Sequence, residues 1–308
     1  MSKQPCVNEP SGVLIVNKHA GVTSHDIVNK IRRLYGTRRV GHTGTLDPMA
    51  TGVLVVLIGR AAKASEYLVS DSKRYRATLR LGITTDTEDT TGEVLSTSES
   101  IPTFAALESV LPQFRGKIQQ IPPMYSALKV DGKKLVDLAR QGQTVERQAR
   151  EIEIFELNAA PTDRATDFIL DVQCSGGTYI RTLCADIGNV LGCGGAMASL
   201  ERTEACGFPI ADAHTVAQLE GMTETERVSL LIPTESLFAS LADVRLPAFY
   251  EKLCRSGCEI YQKKIGTSIP VGTRVRILTA SGDFFALGEV REYEDGTAVK
   301  AVKTFSLE

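Results

Sequence analysis

Gly41-His42-Thr43-Gly44-Thr45-Leu46-Asp47-Pro48-Met49-Ala50-Thr51-Gly52 runs directly into the aliphatic stretch Val53-Leu54-Val55-Val56-Leu57-Ile58. Glycines flank an imidazole and a carboxylate, so the backbone here can approach a ligand closely. Pro48 biases Asp47 away from helical backbone and sets its carboxylate on an extended segment. Leu46, Met49 and the run at 53–58 back that carboxylate with apolar surface. A carboxylate held against such a wall is desolvated and in want of a partner, the setting in which carboxylates do chemistry. The same residues also describe a glycine-rich turn in which Asp47 merely caps a neighbouring backbone. Spacing excludes two phosphate-cradling loops, since neither GxxxxGK[ST] nor GxGxxG occurs in this segment.

Working outward, Gly12-Val-Leu-Ile-Val-Asn17 predicts a short strand, and 53–58 a buried one. Thr23-Ser24-His25-Asp26 offers caps for a helix whose apolar residues Ile27, Val28, Ile31, Leu34 and Tyr35 fall at helical spacing. Ala61–Leu68 predicts a helix, and Tyr75–Leu81 alternates as a half-buried strand does. Residues 84–92 (TTDTEDTTG) predict a polar turn, and Ile101–Phe114 a capped amphipathic helix. Residues 118–150 are rich in Lys, Arg and Gln, with a helix expected over Lys134–Arg140, and suit a clamp or thumb better than core. Phe168–Val172 predicts a buried strand, and a helix should follow Tyr179-Ile-Arg181 through Ile187. After about residue 243 short strands alternate with glycine turns: Arg274–Leu278, Phe284–Leu287, Glu289–Tyr293 and Ala298–Val302. They predict a small β-barrel-like appendage.

The chain has 308 residues, 43% hydrophobic and 23% charged, so wholesale disorder is excluded. The longest aliphatic run falls far short of the ~20 residues that span a bilayer. The opening MSKQPCVNEPSG lacks an apolar signal region, and a cytoplasmic protein is expected. Seven cysteines with no CxxC pair argue against a disulfide framework or zinc ribbon. The net charge of −2 conceals a division: residues 1–80 carry 13 Lys/Arg against 5 Asp/Glu, whereas residues 151–308 carry 14 against 23. Lys30-Ile-Arg32-Arg33, Arg38-Arg39 and Lys73-Arg74-Tyr75-Arg76 suggest a face that meets phosphates; solvated charge on helices is the plainer alternative. The acidic turn at Asp86, Glu88 and Asp89 lacks the length, central Gly and terminal Glu of an EF-hand. Cys254 and Cys258 have no further ligands clustered beside them in sequence, so no metal is expected.

The segment 41–63 resembles, nearly position for position, the signature of the TruB family of tRNA pseudouridine synthases. Four further segments match in order: Val16–Ser24; Ser72–Arg76 with Leu81–Asp89; Gln120–Lys129 with Gly132–Lys134; and Cys174–Thr182. The resemblance covers about residues 12–205. It implies a mixed α/β (α+β) pseudouridine synthase fold with a central, mainly antiparallel sheet. Residues 1–242 would form the catalytic domain with a thumb insertion at about 120–150. Residues 243–308 would form a small PUA-like RNA-binding domain.

The family isomerises the uridine at position 55 of the tRNA T-loop, with no metal or organic cofactor, by flipping the base out of its stack. By that resemblance Asp47 is the catalytic aspartate, as nucleophile or base, and Arg181 the arginine that pairs with it. Tyr75 is the tyrosine that stacks on the flipped base and takes part in proton removal at C5. His42 inserts into the T-loop, Tyr179 and Leu200 line the pocket, and Lys18 contacts phosphate or orders the catalytic loop. On residue chemistry alone, each of these side chains has an ordinary structural or solvated reading. Two departures stand out: the family's Lys-Pro becomes Lys18-His19, and its Leu-Arg-Arg-Thr becomes Leu200-Glu201-Arg202-Thr203. The expected partner is the tRNA T-arm, met by a monomer away from membranes. Two rivals are a guide-RNA-dependent synthase subunit and an RNA-binding or tRNA-folding protein with a vestigial site.

Overall fold

The computed structural model describes residues 10–67, 72–126, 128–130 and 132–305. The N-terminal stretch read for a signal region, and Leu68 at the end of the helix expected over 61–68, lie outside them.

A ten-stranded sheet organises the first 215 residues. Its strands are β1 (Gly12–Lys18), β2 (Val40–His42), β3 (Thr51–Ile58), β4 (Lys73–Leu81), β5 (Gly116–Gln120), β6 (Arg150–Pro161), β7 (Asp167–Cys174), β8 (Gly195–Ala205) and β9 (His214–Thr215). The order is β9-β1-β3-β8-β4-β7-β6-β5, with β2 on β3 and Phe208–Pro209 on β8. The pairs β1–β9 and β3–β8 are parallel and the others antiparallel. This is the mixed fold with a mainly antiparallel sheet.

Side-chain periodicity tells which part of that sheet is covered on both faces. Every residue of Gly52–Ile58 is buried: Leu54, Val56 and Ile58 join one core, Val53, Val55 and Leu57 the other. A strand buried on both sides has no reason to alternate. β4 does alternate. Tyr75, Ala77, Leu79 and Leu81 face the first core. On the opposite face Arg74, Arg76 and Arg80 bond Glu156, Asp171 and Asp167 at 2.9, 2.9 and 2.7 Å.

The first core is closed by helix α1 (Ser24–Leu34) and helix α2 (Ile180–Val190). α1 begins with a capping box, in which Thr23 Oγ1 accepts from Asp26 N and Asp26 Oδ2 from Thr23 N. α2 lies against β8 at Gly188, where a Cβ would stand 2.1 Å from Gly195 N. The segment Gly59–Tyr67 is a 3₁₀ helix, and the helix expected over 101–114 is split into Phe104–Val110 and a 3₁₀ turn at Leu111–Phe114, with Pro112 at the junction.

The chain leaves β5 at Gln120 and rejoins β6 at Arg150, which pair across the base of the intervening excursion. That excursion carries the hairpin Lys129–Val130/Lys133–Lys134 and a short helix, Leu135–Ala139. Beyond residue 241 a second sheet comprises β10 (Ala242–Arg245), β11 (Ile260–Tyr261), β12 (Arg274–Leu278), β13 (Phe284–Tyr293) and β14 (Gly296–Thr304). Its pairs run in the linear order β10-β12-β13-β14-β11. The two strands expected at 284–293 are one, continuous through the buried Gly288. Phe238, Leu287 and Phe305 join Val13, Val53 and Val55 in the second core, so this sheet covers the back of β1 and β3.

Candidate active site

The loop between β2 and β3 is held by groups from four directions. Ser24 brackets Leu46, its Oγ accepting from Leu46 N at 2.8 Å and donating to Leu46 O at 3.1 Å. Gly21 N donates to Pro48 O, and Thr43 N to Val55 O. Lys18 lies beneath, fully buried, with Nζ donating to the carbonyls of His19, Val22 and Pro48 at 3.0, 2.9 and 3.2 Å. These bonds tie together the backbone at His19, Val22 and Pro48. Arg202, also fully buried, donates to Gly44 O, Thr45 O and Val53 O. Gly52 has φ +99° and lies against the Arg202 backbone; a Cβ there would sit 2.3 Å from Arg202 O, so no other residue fits.

This scaffold places the Asp47 carboxylate at a cleft of about 1130 Å³. Arg181, in the first turn of α2, meets it side-on, with Nε 2.9 Å from Oδ2 and Nη2 3.4 Å from Oδ1. The guanidinium side chain is 6% exposed and the carboxylate side chain 34%, so of the two, which both line the cleft, the acid is the more open to it. Arg181 is gripped from behind as well. Nη1 donates to Thr87 O at 3.0 Å, Nη2 to Tyr125 O at 2.8 Å, and Asp89 Oδ2 stands 3.8 Å from Nη1.

Of the remaining expected site residues, Tyr75, His42, Tyr179 and Leu200 line the same cleft. Lys18 stands under its floor, outside the lining. Tyr75 is buried and its phenol is held well above the usual range, chiefly by that burial. Burial likewise lowers the His42 pKa, helped by the Arg202 charge, so the imidazole is neutral at pH 7. Its Nδ1 is buried without a hydrogen-bond partner among the described residues.

Several working residues were not anticipated from sequence. Asp89 is buried in a web of its own loop, with Oδ1 accepting from Thr87 Oγ1, Thr91 N and Thr91 Oγ1. The polar turn at 84–92 is thus the mould for Arg181. Its threonines alternating with acids were the available signal. Gln120 is a second such residue: its carboxamide accepts from Tyr179 N and donates to Tyr179 O, at 2.8 and 3.0 Å. Among the described residues no group of three His, Cys, Asp or Glu side chains is placed to hold a metal.

Comparison with known proteins gives the family. The N-terminal domain of the TruB family of pseudouridylate synthases matches residues 32–180, and the tRNA pseudouridylate synthase B C-terminal domain matches residues 181–239. The tRNA pseudouridine synthase B of Neisseria meningitidis is 38% identical over 292 residues, 95% of this chain and 94% of that protein. That of Haemophilus influenzae is 40% identical, covering 94% and 92%. The chain belongs to the TruB family of pseudouridine synthases.

Among solved structures, a chain of a Cbf5–Nop10–Gar1 complex superposes with a TM-score of 0.74 at 25% identity, covering 99% of this chain and 88% of that one. Both departures from the TruB pattern lie outside the lining of the cleft. His19 still supplies its carbonyl to Lys18, which a proline would do equally. Glu201 lies between the buried Leu200 and Arg202, on the opposite side of β8, paired in register with Arg76 and away from the cleft.

Proposed function

We propose that this protein isomerises uridine to pseudouridine at position 55 in the T-loop of tRNA, acting as a cytoplasmic monomer without guide RNA. The observation that carries this reading is the Asp47–Arg181 pair, with the acid opening into a cleft that Tyr75 and Leu200 also line. The glycosidic bond at C1′ must break, the uracil must turn, and a carbon–carbon bond must form at C5. None of this can happen in a stacked loop, so the uridine enters the cleft flipped out. The Tyr75 ring supplies a stacking plane, and Leu200 and Tyr179 exclude water on the other sides. The Asp47 carboxylate acts at the sugar–base junction, as nucleophile or as base, with Arg181 fixing its orientation.

His42, neutral and beside the catalytic loop, occupies space vacated in the T-loop. The excursion at 120–150 closes over the arm, and the C-terminal sheet serves as a PUA-like RNA-binding domain. Lys18 orders the catalytic loop. A pocket lined by Arg38, Arg39, Arg60 and Lys63 supports a phosphate-binding face on the basic N-terminal part, so RNA affinity falls steeply as salt rises. The test is pseudouridine formation in an unmodified tRNA transcript, mapped by nucleotide, for wild type and Asp47→Asn without guide RNA. Conversion at the T-loop uridine by wild type alone is expected. Binding without conversion by either protein overturns the enzymatic reading.

A further inference from the structure

We propose that Arg202 is a positioning residue for this reaction, holding Tyr75 and the Asp47 loop in register from the wall of the cleft. The inference rests on the pseudouridine-forming reading of that cleft. Arg202 is 1% exposed and is among the largest fully buried side chains of the protein. Three of its guanidinium hydrogen bonds end on backbone carbonyls: Nε to Val53 O at 2.7 Å, Nη2 to Gly44 O at 3.0 Å and Nη1 to Thr45 O at 3.4 Å. Burying a cation against neutral carbonyls is costly, and a methionine would fill the same space without that cost. A residue that costs stability and still occupies the core is explained by what it holds.

What it holds is the loop at both ends. Gly44 and Thr45 precede Leu46-Asp47, and Val53 begins the run that follows the loop. Its backbone acts on the same loop, because Arg202 pairs in register with Gly52, the glycine that admits no side chain there. From the other side Lys18 fixes Pro48 O. Across the sheet, Arg202 pairs with Tyr75. The guanidinium lies close enough to offset part of the burial that raises the Tyr75 phenol. One residue therefore joins the two halves of the site, its side chain holding the Asp47 loop and its backbone pairing with that of the stacking tyrosine. A five-donor planar fork serves Gly44 O, Thr45 O and Val53 O from three separate nitrogens in one fixed geometry, which a lysine's single ammonium does not reproduce.

The consequence is a split between binding and turnover. RNA affinity comes mainly from phosphate contacts at the surface, whereas a displacement of the acid by about 1 Å costs on the order of 10²-fold in rate. The experiment measures single-turnover pseudouridine formation, RNA Kd and Tm for wild type, Arg202→Met and Arg202→Lys on one tRNA transcript. The expected result is a rate on the order of 10²-fold lower for Arg202→Met with Kd within about threefold of wild type. Arg202→Lys should recover at least about tenfold of that loss, since an ammonium reaches some of the carbonyls. Should the methionine variant fail to fold, the lysine variant decides, and a lowered rate at wild-type affinity supports the inference. Wild-type rate in Arg202→Met, or in Arg202→Lys when only that variant folds, overturns it. So does a parallel loss of rate and affinity in whichever variant folds. A wild-type protein that converts no uridine overturns instead the reading on which the inference rests.

Discussion

Arg181 presents the Nε edge of its guanidinium to Asp47 and spends its remaining donors on Thr87 O and Tyr125 O, with Asp89 at 3.8 Å behind. One cation is thus shared between a half-buried acid in the cleft and a buried acid in the wall. The buried acid and the two carbonyls fix the fork, and the fork fixes Asp47. Replacing Arg181 by lysine keeps the charge and loses the fork. Arg181→Lys is expected to lower single-turnover pseudouridine formation on the order of 10²-fold. Asp89→Asn, which keeps the shape of the wall and removes its charge, should lower it by about tenfold. Quench-flow kinetics on a tRNA transcript measure both. An Asp89→Asn enzyme at full rate would show that the carbonyls suffice.

The Asp47 carboxylate is held by Arg181, and its backbone by its own turn, where Ala50 N donates to Asp47 O. Asp47→Asn keeps the volume and that turn. Turnover should vanish while RNA Kd stays within about tenfold, because phosphate contacts dominate affinity. Filter binding beside an activity assay distinguishes the cases, and a loss of affinity by several orders of magnitude would make Asp47 structural.

The sequence was most legible where the periodicity was clean. The run at 53–58 announced a strand covered on both faces, and 75–81 one covered on a single face; both are so. β8 was invisible for a physical reason. Bulges at Met197/Ser199 and at Arg202/Glu204 shift its register twice, so two-residue alternation is confined to the few residues between them, Ser199–Thr203. A similar shift between Ile154 and Glu156 interrupts β6 and turns Phe155 outward. The residues that carry chemistry by resemblance converge on one cleft. Of those that hold them in place, Gln120 and Arg202 act on backbone carbonyls and amides distant in sequence, and Asp89 on an arginine 92 residues away, partners that local spacing does not reveal.

Lys18 offers a pH-dependent test of its burial. Desolvation outweighs the attraction of Asp47 and lowers its pKa from the usual 10.5 to about 8. The unfolded chain holds this proton up to about 10.5, whereas the folded protein releases it near 8, so stability attributable to Lys18 rises with pH between those values. Below pH 8 the fold bears the whole cost of the buried ammonium. The stability of wild type relative to Lys18→Met should therefore increase steadily from pH 8 to pH 10 in urea titrations. A difference that is flat across that range would mean that Lys18 does not titrate there.

Glu88 supplies the opposite case. It adopts φ +64°, and its Oε2 accepts from Thr182 Oγ1 at the first turn of α2, one residue from Arg181. Burial raises its carboxyl pKa above the usual 4.5, against the pull of Thr182 and Arg181. A raised carboxyl pKa means that the folded state favours the proton. The stabilising contribution is full below the unfolded value and is lost as pH climbs through the folded one. At pH 7 the buried carboxylate is thus a net burden, and Glu88→Gln removes the charge while retaining an acceptor for Thr182. The variant should melt above wild type at pH 7, with the difference shrinking as pH falls toward 4. Calorimetric melts at pH 4, 5.5 and 7 read this directly, and equal Tm values at pH 7 would show that Arg181 fully compensates the burial.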